Sequence, residues 1–233
     1  MRKLFAALKK PPKPAAPLLY QHSYDGGYEQ YRDVQIAANK KKLDKVWAEE
    51  RTLNRIADHI EHTPQKDRRG LCHGARNGWE VKWLRQRLQC DVIGTDISET
   101  AKTMENMIQH DFHEPVHEWV GRFSFIYTNS LDQAFKPERA LSVWAEQLAN
   151  DGLIFIEHTM FHSPSGASEM DPFGAHPMVM PYLFFEWGRG KYELEDILKL
   201  KDVPMSDRGV FKSKGDVWVF ILRKWSRSPE GRR

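Results

Sequence analysis

Residues 71–98, LCHGARNGWEVKWLRQRLQCDVIGTDIS, decide the fold. "LCH" (71–73) is a short apolar run that stops at Gly74, as a buried strand does. "GWEVKWLRQRLQ" (78–89) then reads as a helix, and "DVIGTDI" (91–97) as a second strand closed by Asp96. Strand, glycine turn, helix, strand is the βαβ unit, whose two strands lie parallel in one sheet. Gly74 and Gly78 frame the turn. Without side chains there, the backbone can come close to a ligand, and the N–H groups of the helix face it.

The alternation continues downstream. "FSFIYTNS" (123–130) predicts a strand, "KPERALSVWAEQLA" (136–149) a helix and "GLIFIEHT" (152–159) a strand. "GDVWVFILRKW" (215–225) predicts a last strand paired with one around 203–212, which adds an antiparallel edge to a parallel sheet. Upstream, helical periodicity begins at Tyr28 and carries Leu43, Val46, Trp47, Leu53, Ile56, Ala57 and Ile60 at three- and four-residue steps, until "HTPQKDRRG" ends it. The predicted architecture is α/β: a doubly wound, mostly parallel sheet with an antiparallel C-terminal strand and an N-terminal helical extension, and the family resemblance given below implies that the sheet is Rossmann-like and seven-stranded. Residues 1–20 form a basic, proline-rich tail, 21–66 a helical cover, 67–225 the main domain with a lid-like insertion at 160–188, and 226–233 a second basic tail.

Composition narrows the function. At 233 residues, with 40% hydrophobic and 12% aromatic residues, the chain suits one α/β domain with additions. The longest apolar runs are too short to cross a bilayer. The patch Leu4–Leu8 lacks a following A-x-A-like site, so no signal peptide is predicted. Two cysteines, Cys72 and Cys90, make no disulfide framework, and a cytoplasmic protein is expected. The net charge is +3, but residues 1–14 carry five Lys/Arg and no acid, and 223–233 carry five Lys/Arg and one Glu. The body, 15–222, keeps 25 basic and 31 acidic residues, a net of −6. A nucleic-acid enzyme carries its positive charge on the folded body, so nucleic acid is not the expected partner. The tails read as solvated chain, or as a contact with an anionic membrane surface.

"HDFHEPVHEW" (110–119) contains the letters His-Glu-x-x-His of a zinc protease. That pattern needs a helix, so that both histidines share a face. Pro115 lies between them and would cost a helix about 3 kcal/mol. No third ligand is marked by spacing, and no metal site is predicted.

Glycine turn, strand-end acid and a second acid in an apolar frame follow in order: Gly74 and Gly78, then Asp96, then Asp111 with Ile108 and Phe112. With the stretches "LCHGARNGWE", "VIGTDIS", "IQHDFHE", "FIYTNSLDQ" and "LANDGLIFIEHT", residues 71–159 resemble the class I S-adenosylmethionine (SAM)-dependent methyltransferases. The resemblance implies SAM as cofactor. It implies that Gly74, Arg76 and Gly78 line the methionine turn, that Asp96 and Ile97 meet the ribose side, and that Asp111 and Phe112 meet adenine. Asn129 and Ser130 would face the methionine or the acceptor. Two departures stand out: Cys72 occupies the place of a frequent acid, and Arg76 that of the middle glycine. Glu80 could supply the missing charge. A nicotinamide fingerprint would also want glycine at 76.

A hydroxyl acceptor must lose a proton, so a base over the cofactor is needed. His158 is the first candidate, followed by Glu157 and His162; a strand-end histidine bonded to backbone is the other reading of His158. Tyr182, Phe185 and Trp187 of the insertion are acceptor contacts or edge packing, and Tyr28, Tyr31 and Gln35 can close the other side. The acceptor class expected is a small molecule or chain-end sugar hydroxyl, on a loose similarity of "YEQYRDVQIAANKKKLDKVW" to bacterial polysaccharide methyltransferases. The competing reading is a binding protein of the same fold that transfers nothing.

Overall fold

Residues 16–65, 67–205 and 213–225 are described by the structure, a computed structural model. Most of both basic tails, and residues 206–212 of the expected penultimate strand, lie outside them.

The elements run β1 (Leu19–Gln21), α1 (Gly27–Lys41), α2 (Glu50–His62), β2 (Arg69–His73), α3 (Trp79–Leu88), β3 (Asp91–Asp96), β4 (Met107–Gln109) and β5 (Phe123–Thr128). They continue with α4 (Pro137–Gln147), β6 (Leu148–Thr159), β7 (Phe173–Ala175), α5 (Met180–Gly188), β8 (Tyr192–Met205) and β9 (Ser213–Lys224). Seven strands form one sheet in the order β4-β3-β2-β5-β6-β9-β8. The first five are parallel; β9 and β8 join antiparallel to their neighbours. Among the described residues no helix is long and apolar enough to cross a membrane.

Period-two alternation divides the core. Cys72, Phe125, Tyr127, Phe155 and Val219 pack on one sheet face with Leu53 and Ile56 of α2 and Leu84 of α3. Leu71, Ile126, Ile154, Ile156 and Phe220 pack on the other with Trp144 of α4 and Phe184 of α5. β5 is buried at all six positions, as a central strand covered on both faces must be. Because β2 pairs with both β3 and β5, the strand order reverses beside it. Ligands of such sheets sit above the strand ends at that point.

Three expectations need correction. The continuous helix from Tyr28 is two helices parted at 42–49: the Asn77 amide donates to the carbonyls of Leu43 (2.9 Å) and Lys45 (3.1 Å), which a continuing helix would use itself. Glu49 then accepts from Arg51 N–H to start α2. The penultimate strand begins at Tyr192, well before 203, and its register runs from Tyr192 opposite Lys224 to Met205 opposite Ser213. The insertion is no single lid. Its α5 buries Met180, Leu183 and Phe184 in the core, while its β7 pairs with β1.

Candidate functional site

Above the ends of β2 and β3 lies a cleft of about 550 Å³, mouth included, lined by Tyr31, Gln35, Ala38, Asn39, Lys42, Gly74, Arg76, Asp96, Ile97, Asp111, Phe112, Gln133, Met170 and Asp171. Its floor is the turn after β2. Gly74 has φ +69°, and a Cβ there would come within 2.6 Å of Ser130. Arg76 also takes the left-handed conformation, at φ +41°, where a non-glycine residue is strained by roughly 1 kcal/mol. The strain is held by Asp96: its Oδ2 accepts the Arg76 N–H (3.1 Å) and its Oδ1 the Ser98 N–H (2.9 Å). One strand-end carboxylate thus fixes the turn on one side and the following loop on the other. Burial raises the Asp96 pKa, and these two N–H donors oppose the rise.

Asp111 stands on the same wall. Burial opposes its ionisation, yet His113 and Tyr28 prevail and hold it down to about 2. The His113 N–H (2.9 Å) and ring Nδ1 (2.6 Å) both donate to Oδ1, and the Tyr28 hydroxyl donates to Oδ2. Ile97 and Phe112 are apolar residues of the same lining. Opposite, α1 presents the stripe Tyr31, Gln35, Asn39 at four-residue spacing. Tyr31 donates to the Gln133 carbonyl (3.0 Å) and Gln35 to that of Met170 (3.0 Å), so α1 ties the loop after β5 to the 160–179 segment.

Beside Gln133, which lines the cleft, lie buried charged groups that the lining does not include. Asp132 is buried, its Oδ1 has no hydrogen-bond partner, and Oδ2 is 3.7 Å from His162 Nε2. Burial pushes Asp132 up to about 7, against the backbone N–H groups of 132 and 133, and pushes Asp171 up to about 6, helped by the charge of Asp132. Burial holds His162 down to about 4. Lys42 and Arg76 supply the nearby positive charge.

Of the residues picked from the sequence, Gly74, Arg76, Asp96, Ile97, Asp111 and Phe112 line the cleft, with Tyr31 and Gln35. Gly78 caps α3 from behind the turn. Asn129 and Ser130 lie buried under it, where the Ser130 hydroxyl donates to the Gly74 carbonyl (3.3 Å). Glu80 is buried in the first turn of α3 and pushed up to about 7 by that burial. Glu157, His158 and His162 are outside the cleft lining. Glu157 and His158 must project to opposite sheet faces. Glu157 accepts from the Tyr127 hydroxyl at 2.8 Å. His158 Nε2 meets the Ala175 carbonyl at 2.9 Å, so that nitrogen carries the hydrogen; burial holds the ring down to about 3. Tyr182 and Phe185 face solvent, and Trp187 packs on Phe173. In the zinc-like stretch, residues 112–114 form a turn and His117 opens a separate 3₁₀ segment, so the two histidines share no helix face. Among the described residues no group of three or more His, Cys, Asp or Glu could hold a metal.

Sequence reasoning missed Asn39, Lys42, Asp132, Gln133 and Asp171. Asp132 and Gln133 close the quoted stretch "FIYTNSLDQ", in which only Asn129 and Ser130 are assigned a role.

The chain matches no family model and no curated protein. Solved structures do share its fold. A 1,6-didemethyltoxoflavin-N1-methyltransferase of Burkholderia thailandensis, with 1,6-didemethyltoxoflavin and S-adenosylhomocysteine bound, aligns with TM-score 0.64 at 13% identity over 89% of this chain and 94% of that one. A SAM-dependent methyltransferase from Archaeoglobus fulgidus aligns with TM-score 0.53 at 14% identity over 76% and 95%. The [4+2]-cyclase SpnF aligns with TM-score 0.53 at 12% identity over 73% and 80%. At these identities the likeness is one of fold, and the fold is that of the class I methyltransferases.

Proposed function

We propose that the protein binds SAM in this cleft and transfers its methyl group to a hydroxyl of a small acceptor, a free or chain-end sugar being the class. The observation that carries the reading is Asp96, a strand-end carboxylate bonded to the backbone of the 74–78 turn at the point where strand order reverses. The donor set suits the whole cofactor. Ile97 and Phe112 flank a flat base with Asp111 at its edge. Asp96 has lone pairs left for ribose hydroxyls. Lys42 and Arg76, both in the cleft lining, suit the methionine carboxylate. When bound, SAM supplies an electrophilic methyl: the acceptor oxygen bonds to the carbon, the carbon–sulfur bond breaks with its pair left on sulfur, and the acceptor proton leaves to a base. The protein's share is to align acceptor and cofactor, exclude water beneath α1, and receive that proton. Both cysteines are free, which suits the reducing cytoplasm.

A second reading, SAM binding without transfer, is favoured by one observation: Glu157, His158 and His162 all lie outside the cleft lining. Incubation with methyl-labelled SAM and a panel of glycosides separates the two. Labelled glycoside with stoichiometric S-adenosylhomocysteine supports transfer; tight SAM binding with no product from any acceptor supports the second reading.

A further inference from the structure

Helix α5 is apolar on two sides, and the protein packs against only one of them. Met180, Leu183 and Phe184 are buried in the core. Tyr182 and Phe185, with Met178 just ahead of the helix, recur at four- and three-residue steps on the other side, 62%, 77% and 79% exposed. Glu186 is the one charged residue of α5, and Arg189 pairs with it. A surface helix ordinarily turns polar residues outward, so an apolar stripe of this kind marks an interaction face. Both ends of the stripe are extended by further exposed apolar residues. At one end the Leu18 carbonyl accepts the N–H of His176, two residues before Met178, and Leu18, Leu19 and Tyr20 are exposed. At the other, Phe185 shares a groove of about 1380 Å³, mouth included, with Trp225, itself 52% exposed. Trp225 also lines the adjoining groove, and the charges of the two cancel: Arg189, Lys191 and Lys224 stand against Glu146, Glu186 and Glu193. The net −6 of residues 15–222 therefore does not arise there. The sequence adjoining both ends is basic. Residues 1–14, with five Lys/Arg and no acid, precede Leu18, and residues 226–233, with three Arg and one Glu, follow Trp225.

We propose that this face, the outer side of α5 with Leu18–Tyr20 and Trp225 at its ends, docks on the surface of an anionic phospholipid bilayer. The apolar side chains enter the headgroup boundary, and the two basic segments meet the lipid phosphates. Apolar burial and electrostatic attraction are the two contributions that hold a protein on such a surface, and here they adjoin one another. Tyr20, Tyr182 and Trp225 have amphipathic rings, which favour the level of the headgroups. A second copy of the chain suits the face less well. A two-fold pair sets the same patch of both copies together and so brings like-charged basic segments towards each other. An anionic surface attracts all of them at once. No residue of the face lines the cleft, so docking leaves the cleft free, and the inference does not depend on the methyltransferase reading.

The test is flotation of the full chain with unilamellar vesicles, of phosphatidylcholine alone or with about one-third phosphatidylglycerol, in about 50 mM and about 500 mM NaCl. The wild-type chain is expected to bind the anionic vesicles about tenfold more tightly than the neutral ones, and to lose most of that preference in the higher salt. Tyr182→Ser combined with Phe185→Ser should weaken binding about tenfold and leave the melting temperature unchanged, since both side chains face solvent and serine matches them in helix propensity. Replacing Arg2, Lys3, Lys9, Lys10 and Lys13 by Gln should weaken binding about tenfold and remove most of its salt dependence. Equal binding to both vesicles, binding to neither, or binding that the Gln variant leaves unchanged would overturn the proposal. Binding unchanged in the Ser variant would also overturn it, by assigning the contact to the basic segments alone. A lowered melting temperature in the Ser variant would contradict the reading of this side of α5 as free surface. Sedimentation velocity without lipid checks the remaining occupant: a wild-type dimer that the Ser variant turns into monomer would give the face to a second copy instead.

Discussion

Glu157 is buried against Tyr127 on the α2–α3 face of the sheet, and Glu157→Gln should stabilise the protein in a pH-dependent way. Burial is the largest influence on its carboxyl; the Tyr127 bond opposes it, Glu80 and Glu49 add to it, and the pKa is pushed from 4.5 up to about 8. A carboxyl raised in the folded state contributes stability that is fully present below about pH 4.5 and is lost as pH rises through about 8. At pH 7 the loss, at 1.36 kcal/mol per pH unit, comes to roughly 3 kcal/mol. Glutamine does not titrate, and its carbonyl can still accept the Tyr127 bond. Allowing for relaxation around the site, the variant should be more stable by about 2 kcal/mol at pH 7, a rise in melting temperature of roughly 4–8 °C for a domain of this size. Calorimetric melts of both proteins at pH 5 and pH 8 test this. The gap should nearly close at pH 5 and open at pH 8. A gap that is equal at both, or a variant that melts lower at pH 8, would refute the assignment of a buried, reluctantly ionised Glu157.

Other substitutions probe other joints of the account. Tyr28→Phe removes a donor to Asp111 and should cost about 1 kcal/mol at neutral pH. Because the Asp111 pKa is depressed, that difference should shrink as pH falls from 4 towards 2, seen in paired acid-denaturation curves. Gly70→Ala would put a Cβ 2.2 Å from the Phe125 ring in the core and should destabilise by roughly 1–3 kcal/mol in urea melts. Arg76→Gly should relieve the turn by about 1 kcal/mol and remove a cation from the methionine end. Calorimetry should therefore show weaker S-adenosylhomocysteine binding with adenosine affinity unchanged; a parallel loss of both would contradict the placement of Arg76.

The elements legible in the sequence were those whose signal is local. Gly74, Gly78 and Asp96 announce the first βαβ unit because the glycine turn and the strand-end acid lie within 23 residues of one another. The runs around Phe125 and Ile154 are apolar because both faces of those strands are covered. β4 escaped notice because three residues, Met107–Gln109, cannot show a period. The break at 42–49 was hidden since Leu43, Val46 and Trp47 continue a helical rhythm; what interrupts it is Asn77, far along the chain. The same reason kept Asp132 and Asp171 out of view. Each is an ordinary loop acid until α1 and the insertion close over the cleft, and only burial makes either one unusual. For His158 the sequence leaves a base and a backbone-bonded histidine both open, and only the fold supplies the Ala175 carbonyl that it meets.

The central claim is that this cleft binds SAM, with Asp96 at the ribose. Isothermal calorimetry with SAM and S-adenosylhomocysteine, and with NADH as control, tests it most directly. Micromolar binding of both nucleosides, none of NADH, and a loss of tenfold or more in Asp96→Ala is the result predicted. A correctly folded wild-type chain that binds neither nucleoside, or an Asp96→Ala variant that binds them as tightly, would contradict it.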